Sequence, residues 1–315
     1  MIRFLRKNWV RAQRVLNRTD HRHHERLEAL LGTQGDRSTL RQIFGHVDDD
    51  FWLWCFTEGY RSHDRLRSML PGYPADDVQL RFAGASGDDT LRDAFRFYQL
   101  ARRLAASHGV SHLDSVLEFG CGWGRIIRFF LRDVERQHLW GIDCLPLAVE
   151  TCQKTNPYAT FSLVDTLPPT TVPSASFDLI YAYSVFSHLS EAAHLAWLDE
   201  FVRLLKPRGL LIVTTRPRDF VTWCEQLRQS NEPGEWALGL KMAFPDAAAA
   251  LRRYDGGEYI YHPLDGGDVL DASFFGETCI PREYVVQKWA GQYDVLDFID
   301  DRAACTQNVI VARKK

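Results

Sequence analysis

The segment 118–124, which reads EFGCGWG, follows a short apolar run and holds three glycines at alternate positions. Glycine has no Cβ, so such a turn after the first strand of an α/β sheet lets a ligand approach the backbone closely. Enzymes that hold a dinucleotide pyrophosphate use the pattern GxGxxG, which would require a third glycine at position 125. This chain has Arg125 there, and its third glycine is Gly124. The spacing therefore favours a nucleotide-like ligand other than a dinucleotide.

Two acidic residues end the next two predicted strands. Asp143 closes the run HLWGID and Asp165 closes the run ATFSLVD. A carboxylate at the first position is placed to accept both hydroxyls of a ribose, and one at the second could accept from an adenine amino group. Each also has a structural interpretation, because Asp143 could cap the next helix and Asp165 is a good turn residue before Thr-Leu-Pro.

Three further residues follow the fourth and fifth predicted strands and could act on a second substrate. His188, in YSVFSHL, can titrate near neutral pH and is a candidate general base for a hydroxyl, although it could instead order the loop. Tyr183 could line the acceptor pocket. Arg216 could bind a carboxylate or phosphate, or it could form a surface ion pair.

The segment 220–292 is longer than a strand-to-strand crossover needs, and glycine and aromatic residues are frequent in it. We interpret it as an insertion over the active site. Its aromatic and polar side chains could wall a substrate or could pack beneath a long loop. These side chains are Tyr259, Tyr261, His262, Phe274, Phe275 and Glu277.

The elements that must position these residues begin near residue 115. Strand-like runs separated by helix-length segments predict parallel βαβ units, and their apolar character fits strands covered on both faces. The runs are SVLEF, HLWGID, ATFSLVD, FDLIYAYS, GLLIVTT, YDVLDFID and QNVIVARK. Only 301–306 separates the last two, which is too short for a parallel crossover. We therefore predict an α/β fold with a doubly wound, mostly parallel seven-stranded sheet and an antiparallel C-terminal hairpin.

Residues 1–100 lack alternating strands and are predicted to form a helical accessory region before a domain at 101–315. Helices are expected over 1–31, 48–70 and 90–107. The first is basic and should pack on the body or on a partner subunit as a homodimer, and a membrane-surface helix is the alternative.

Two clusters in this region invite a metal interpretation. Asp48, Asp49 and Asp50 are better explained as an N-cap and as favourable charge for the helix dipole. His21, His23 and His24 lie in a charged helical stretch, and we interpret them as a solvated face. No metal site is therefore predicted.

The composition limits the class of protein. The chain has 315 residues and a net charge of −3, so no global field draws it to nucleic acid. Seven scattered cysteines without a CxxC pair argue against a disulfide framework or zinc site and favour a reducing compartment. No apolar run approaches the ~20 residues of a membrane span, and the basic N-terminus has no apolar core of a signal peptide. A cytoplasmic protein is expected.

Five motifs occur in order along 115–215, namely EFGCGWGR, GID, VD, SFDLIYAYSVFSHL and LLKPRGLLIVTT. In this order and spacing they resemble the successive motifs of the class I, Rossmann-like S-adenosylmethionine methyltransferases. Arg208 in LKPRG departs from the family, which more often has glycine there. The resemblance implies S-adenosylmethionine as cofactor.

The same resemblance implies a set of cofactor-binding residues. Glu118 and the three glycines would hold the methionine end, Asp143 the ribose and Asp165 the adenine. Backbone groups near Cys144 and Leu145 would flank the adenine, and those around Ala182 and Tyr183 would complete the methionine site. The complete predicted set is Glu118, Gly120, Cys121, Gly122, Gly124, Asp143, Cys144, Leu145, Asp165, Thr166 and Ala182.

The region 256–289 looks like methyltransferases of bacterial glycan and natural-product pathways. It implies O-methylation of a sugar, glycan or other small-molecule acceptor, with His188 and Tyr183 as the catalytic candidates. A lipid-modifying enzyme similar to cyclopropane fatty-acid synthases is one alternative, because they also have a GCGWG-like turn. A non-catalytic S-adenosylmethionine-binding scaffold is another. A nucleic-acid acceptor is disfavoured, because no basic stripe and no NPPY-like tetrapeptide follow the fourth strand.

Overall fold

A sheet of seven strands forms the centre of the protein in the computed structural model, which describes residues 20–32 and 39–315. The strands of this sheet are β1 (Val116–Phe119), β2 (Leu139–Asp143), β3 (Thr160–Leu163), β4 (Phe177–Ala182), β5 (Leu205–Thr215), β8 (Tyr293–Ile299) and β9 (Asn308–Lys314). Two further strands, β6 (Ile260–Pro263) and β7 (Gly276–Cys279), form a separate hairpin. The order in the sheet is β3-β2-β1-β4-β5-β9-β8, and β9 runs opposite to the other six. The predicted α/β fold with its antiparallel C-terminal hairpin is confirmed.

The helices cover both faces of this sheet. They are α1 (20–32), α2 (Leu40–Phe44), α3 (Asp49–Phe56), α4 (Glu58–Ser62), α5 (Asp64–Met69), α6 (Asp76–Ala83), α7 (Gly87–Ser107), α8 (Pro146–Thr155), α9 (Glu191–Leu204), α10 (Arg218–Arg228), α11 (Glu235–Met242), α12 (Ala247–Asp255) and α13 (Arg282–Trp289), with 3₁₀ helices at Ile127–Arg132 and Arg136–His138. Among the described residues, none of these helices has both the length and the apolar character to cross a membrane.

Alternate residues of the central strands enter two different cores. Val116 packs with α7 and the 3₁₀ helix Ile127–Arg132, whereas Leu117 and Phe119 pack with α9 and α13. This follows from the period of two along a strand. β1 lies between β2 and β4, so the strand order reverses at this point: β2 and β3 lie on one side of β1, and β4 and β5 lie on the other. A crevice therefore opens at the carboxyl ends of β1 and β4.

The N-terminal helices join the first of these cores. Trp52 is fully buried and its Nε1 donates to the carbonyl of Phe129 at 3.0 Å, across to the 3₁₀ helix. Leu27 of α1 belongs to the same cluster, and residues 1–19 of the predicted first helix lie outside the described residues. The division of the chain near residue 100 stays a prediction.

The prediction of a single helix over 48–70 is wrong, because three short helices occupy this range. Asp48 caps the first as expected, and its carboxylate accepts from Phe51 N at 2.9 Å. Thr57 then leaves helical geometry with φ −114° and ψ −103°, and His63 is extended with φ −123° and ψ 116°. The Thr57 hydroxyl donates to the Leu53 carbonyl at 3.0 Å, which satisfies an acceptor at the break.

The histidines of α1 do not form a single solvated face. His21 is exposed, but the ring of His23 lies 5.3 Å from that of Trp54, and the ring of His24 lies 5.0 Å from it. The period of 3.6 turns His23 and His24 toward α3, which sequence alone did not place beside them. No group of three or more potential metal-ligating side chains occurs in the part of the chain that the structure describes.

The glycine-rich turn after β1 is shaped by backbone conformation. Gly120, Gly122 and Gly124 have φ of +71°, +50° and +73°, which side chains with a Cβ rarely adopt. Gly120 N and Cys121 N both donate to the Ile142 carbonyl, at 2.8 and 3.2 Å. These bonds hold the turn against the end of β2.

The turn also leaves no room beside Gly120. A Cβ on Gly120 would lie 2.3 Å from Val185 Cγ2, whereas one on Gly122 would lie 3.5 Å from Phe82 Cβ, an ordinary contact. The turn is therefore in close contact with the segment after β4 on one side and with α6 on the other.

His194 of α9 is a neutral histidine inside an aromatic cluster. Its side chain has no exposed surface, and Trp289 Nε1 donates to its Nε2 at 3.0 Å. The remaining N–H at Nδ1 is buried without a partner among the described residues. Burial lowers the pKa of His194 to about 3.

We expect Gly120→Ala to lower the free energy of unfolding more than Gly122→Ala does. Both substitutions force an alanine into positive φ, at a cost of about 1–2 kcal/mol. Only Gly120→Ala adds the clash with Val185, which costs a further ~1–3 kcal/mol. Urea denaturation of the two variants beside the parent measures the difference. Equal losses would contradict the packing explanation.

Acid should destabilise the protein partly through His194. Because the folded-state pKa is lowered, the unfolded chain binds a proton first, and stability falls as pH drops from about 6.5 toward 3, by up to ~1.4 kcal/mol per pH unit. His194→Phe should have a shallower decline between pH 6 and pH 4 in denaturation curves. Parallel declines in the two proteins would reject this assignment.

Candidate functional site

Glu118 lies at the base of the glycine turn rather than on its surface. Its side chain is 2% exposed, and Ile127 N donates to its Oε2 at 3.2 Å. Burial raises the pKa of Glu118 to about 8, and the nearby Tyr181 hydroxyl and Arg125 guanidinium offset only part of that effect. A cation bound beside it would favour its ionised form.

Asp143 connects the turns after β1 and β2. Its Oδ2 accepts from Gly122 N at 2.9 Å and its Oδ1 accepts from Leu145 N at 3.0 Å. Burial raises the pKa of Asp143, and these backbone bonds counteract the rise. A carboxylate has about four lone-pair sites, so the backbone bonds leave it able to accept a further hydrogen bond. The structure thus brings this carboxylate to the glycine turn, where a ligand hydroxyl could reach it.

Asp165 lies beyond the end of β3 with its side chain exposed, next to the Asp143 end of β2. Val164 N donates to the Asp143 carbonyl at 3.0 Å, which holds the two strand ends together. Thr166 is fixed through its carbonyl, which accepts from Trp197 Nε1 at 2.9 Å. Cys144 is partly buried between these groups, and burial raises the pKa of its thiol to about 12.

Two of the predicted cofactor-binding residues have buried side chains, so only their backbone groups could contact a ligand. Cys121 is 2% exposed, and a Cβ on Gly141 would lie 3.0 Å from its Cβ, so its side chain is packed inside the protein. Ala182 at the end of β4 is fully buried.

Tyr183 forms one wall of the crevice. Its ring centroid lies 4.6 Å from that of Phe97 on α7 and 5.1 Å from the Arg125 guanidinium carbon. Its hydroxyl lies 3.5 Å from Asp93 Oδ2, and burial raises the pKa of Tyr183 to about 12. The phenol is therefore protonated at neutral pH and is suited to lining the site rather than to accepting a proton.

Sequence reasoning missed the ion pair beside Tyr183. Arg125 Nη1 lies 3.4 Å from Asp93 Oδ2, which fixes a cation at the mouth of the glycine turn. The signal was the arginine directly after Gly124. Asp93 had no comparable signal, because α7 brings it to the site from outside the motif.

His188 is oriented by the β6–β7 hairpin. Its Nδ1 lies 2.8 Å from the Gly276 carbonyl, and its ring is stacked on Phe275 at 5.0 Å and 11°. A carbonyl only accepts, so Nδ1 carries the hydrogen and Nε2 keeps the lone pair. Burial and Arg216 lower the pKa of His188, and Glu277 and the carbonyl raise it. The imidazole is therefore neutral at neutral pH, with Nε2 able to accept a proton.

Glu277 of β7 joins His188 to Arg216. Its Oε1 lies 3.5 Å from His188 Nδ1, and its Oε2 accepts from Arg216 Nε at 2.9 Å. Glu277 is 4% exposed, and the Arg216 guanidinium carbon lies 4.3 Å from the Phe220 ring centroid. The surface ion pair considered for Arg216 is thus a pair with a buried carboxylate.

Some of the candidate side chains in the 220–292 segment are buried in the core, and others lie near His188. Tyr259 and Phe274 are buried, and the Tyr259 hydroxyl donates to the Leu189 carbonyl at 3.0 Å. Tyr261 donates to the Phe275 carbonyl at 2.8 Å. His262 is partly buried opposite Glu277 in the hairpin, 5.9 Å from the Phe244 ring. His262 and Phe275 therefore lie nearest to the His188–Glu277 pair.

The hairpin is tied to the loop after β4 by backbone bonds. Thr278 N donates to Ser187 O at 2.8 Å, and Gly276 N donates to His188 O at 2.8 Å. These bonds place Glu277 beside His188 as a consequence of strand register.

Comparison with known proteins bears on the sheet and the glycine turn. Residues 116–209 match the family model described as a methyltransferase domain. Comparison with curated proteins found no match.

Solved structures of similar chains include three methyltransferases. An S-adenosylmethionine-dependent methyltransferase from Methanosarcina mazei is 15% identical, with coverage of 67% of this chain and 96% of that one and a TM-score of 0.44. The N-methyltransferase NodS from Bradyrhizobium japonicum WM9, in complex with S-adenosyl-L-homocysteine, is 17% identical, with coverage of 76% and 99% and a TM-score of 0.43. A S-adenosylmethionine-dependent methyltransferase from Clostridium acetobutylicum is 13% identical, with coverage of 70% and 92% and a TM-score of 0.46.

The family match spans β1 to the start of β5 and includes the glycine turn, Asp143 and Asp165. The observed sheet is the mostly parallel, seven-stranded sheet with an antiparallel C-terminal hairpin that the sequence predicts. Residues 116–209 therefore resemble the methyltransferase domains that this family model describes, and the mostly parallel sheet around them has the fold expected of a class I, Rossmann-like domain.

Proposed function

We propose that the protein methylates a hydroxyl of a sugar, glycan or other small molecule, with His188 as general base. The observation that carries this proposal is the hydrogen bond from His188 Nδ1 to the Gly276 carbonyl, which leaves Nε2 as an acceptor in the loop after β4. Val185 of the same loop contacts the glycine turn at Gly120. O-methylation needs a base near the hydroxyl, and a neutral imidazole meets that need.

The residues at the carboxyl ends of β1, β2 and β3 fit S-adenosylmethionine. When bound, this cofactor supplies a methyl group on a sulfonium. Asp143, which already accepts backbone N–H bonds from Gly122 and Leu145, would accept from the ribose through a remaining lone pair. The exposed Asp165 carboxylate suits the adenine amino group. The turn presents backbone without side chains at its three glycines. Arg125 would offer a positive charge to the carboxyl group of the methionine end, and Glu118, whose pKa burial raises to about 8, would ionise beside the amino group.

The acceptor would lie between Tyr183, Phe275 and His188. Tyr183 closes the side toward α7 and keeps its proton, so we assign it to positioning and water exclusion. His188 Nε2 would take the hydroxyl proton as the oxygen bonds to the methyl carbon and the bond from that carbon to sulfur breaks, which leaves the sulfur as a neutral thioether. Glu277 would stabilise the imidazolium. The flat Phe275 ring supports the imidazole from one face.

The 220–292 segment would cover this acceptor site, because its hairpin already contacts the loop that carries His188. The resemblance of 256–289 to methyltransferases of glycan and natural-product pathways supports a sugar-like acceptor. The expected cytoplasmic location and homodimer through the N-terminal helices stay predictions.

A panel of acceptors tests the proposed reaction. We expect one added methyl group on a sugar or small alcohol, in the presence of S-adenosylmethionine, when products are analysed by mass spectrometry. A cyclopropane ring formed only on unsaturated lipids would favour the lipid-modifying alternative. No binding of S-adenosylhomocysteine by calorimetry would reject the enzyme.

Asp143→Ala should weaken binding of S-adenosylhomocysteine by about tenfold or more, because hydrogen bonds to a charged group contribute ~1.5–3 kcal/mol. Isothermal titration calorimetry measures this. Asp178→Ala is the matched control, because Asp178 also accepts backbone N–H bonds, from Asp114 and Ser115, but near the start of β4 at the other end of the sheet. Unchanged affinity in folded Asp143→Ala would reject the ribose assignment.

His188→Gln should lower kcat by ~100-fold or more, the usual contribution of a general base. Affinity for S-adenosylhomocysteine should stay within about twofold. In the parent, kcat should rise with pH up to a plateau, with a midpoint below the ordinary histidine value because the pKa of His188 is lowered.

The fall in kcat at acid pH should disappear in His188→Gln. It should persist in His262→Gln, which changes the histidine on the neighbouring strand. Pre-steady-state or steady-state rates with an acceptor from the panel give both profiles. If kcat of His188→Gln still falls at acid pH, the group responsible for the pH dependence is not His188.

A further inference from the structure

Arg216 occupies a fixed position at the carboxyl end of β5, beside the proposed acceptor site. Its Nε donates to Glu277 Oε2 at 2.9 Å, and its guanidinium lies over the Phe220 ring at 4.3 Å. A backbone bridge to Cys279 holds the main chain in place. One edge and one face of the guanidinium are therefore occupied.

The other edge of this guanidinium is available. Nη1 and Nη2 of Arg216 have no hydrogen-bond partner within the ranges 20–32 and 39–315, and the side chain is 18% exposed. A guanidinium presents its paired N–H groups in a planar fork that matches a carboxylate or a phosphate. The position is rigid, since the Nε bond and the aromatic contact restrict rotation of the side chain.

Charge in this cluster is unbalanced during the proposed reaction. Glu277 carries the one carboxylate in contact with both His188 and Arg216. When His188 takes the hydroxyl proton, two cations face a single anion. A further anion on the acceptor would compensate for the additional positive charge.

A neighbouring cation is not equivalent to Arg216. The guanidinium of Arg228 donates to the carbonyls of Lys241, Ala243 and Phe244, at 3.3, 2.7 and 3.0 Å. It is therefore engaged in holding the loop between α11 and α12. Arg218, two residues after Arg216, pairs with the exposed Asp255 through both Nε and Nη2.

We propose that the methyl acceptor is anionic and that Arg216 binds its carboxylate or phosphate through Nη1 and Nη2. This inference rests on the proposed function, because it places the anionic group of the acceptor beside the hydroxyl that His188 deprotonates. Glu277 acts as a positioning residue that orients Arg216 toward the anion and His188 toward the hydroxyl.

Nuclear magnetic resonance of the full chain with ¹³C-labelled histidine and ¹⁵N-labelled arginine tests this binding. The probes are sodium acetate, inorganic phosphate and acetamide, the last being the uncharged counterpart of acetate. Titrations are run with and without S-adenosylhomocysteine. We expect saturable shifts of the Arg216 Nε–H and His188 Cε1–H resonances with acetate or phosphate and none with acetamide.

Three variants separate a specific site from general attraction. Arg216→Gln should abolish the saturable His188 shift, and Arg216→Lys should weaken it by about tenfold, because lysine keeps the charge but lacks the fork. Arg218→Gln removes the same charge two residues away and should leave the shift unchanged. If Arg216→Gln does not fold, Arg216→Lys alone provides the comparison.

Each outcome decides the proposal. A response to acetate alone identifies a carboxylate, a response to phosphate alone identifies a phosphate, and responses to both support the shared anion site. Absence of any saturable response, or an equal response in folded Arg216→Gln or Arg216→Lys, overturns it. Failure to bind S-adenosylhomocysteine in the same samples would instead count against the proposed function.

Discussion

The carboxylate of Asp143 is the constraint on which the glycine turn and the proposed cofactor site depend. It joins the glycine turn to the start of α8 through two backbone hydrogen bonds, at 2.9 and 3.0 Å. A buried carboxylate without partners would be costly, so the two turns must approach it. The turn then presents bare backbone at three glycines, and the carboxylate can still accept a further hydrogen bond.

A second buried carboxylate, Glu277, likewise holds two segments together, next to the proposed acceptor site. It connects the histidine of the loop after β4 to the arginine after β5, and all three residues lie at the same edge of the sheet. The β6–β7 hairpin supplies this carboxylate and also the Gly276 carbonyl that fixes the imidazole tautomer. The hairpin therefore determines both the orientation and the tautomer of the proposed base.

The predictions from sequence that proved wrong concern segments in which contacts with distant residues override the local pattern of apolar and polar residues. The apolar residues of 48–70 suggested a continuous helix, but Thr57 and His63 break it so that short helices can pack on α7 and the 3₁₀ helix. His23 and His24 were interpreted as solvated, and Trp54 covers them. Arg208 has φ +63°, which explains a preference for glycine at that turn in similar proteins.

The sequence by itself determined the sheet, its antiparallel end and the glycine turn, because these follow from local apolar periodicity and from glycines and acids at strand ends. Such signals lie within a few residues of one another and need no partner from elsewhere. Only the tertiary structure decided the acceptor side, where His188 meets Gly276 across 88 positions and Arg216 meets Glu277 across 61. No spacing in the sequence records such a contact, because it depends on how the hairpin packs on the end of the sheet.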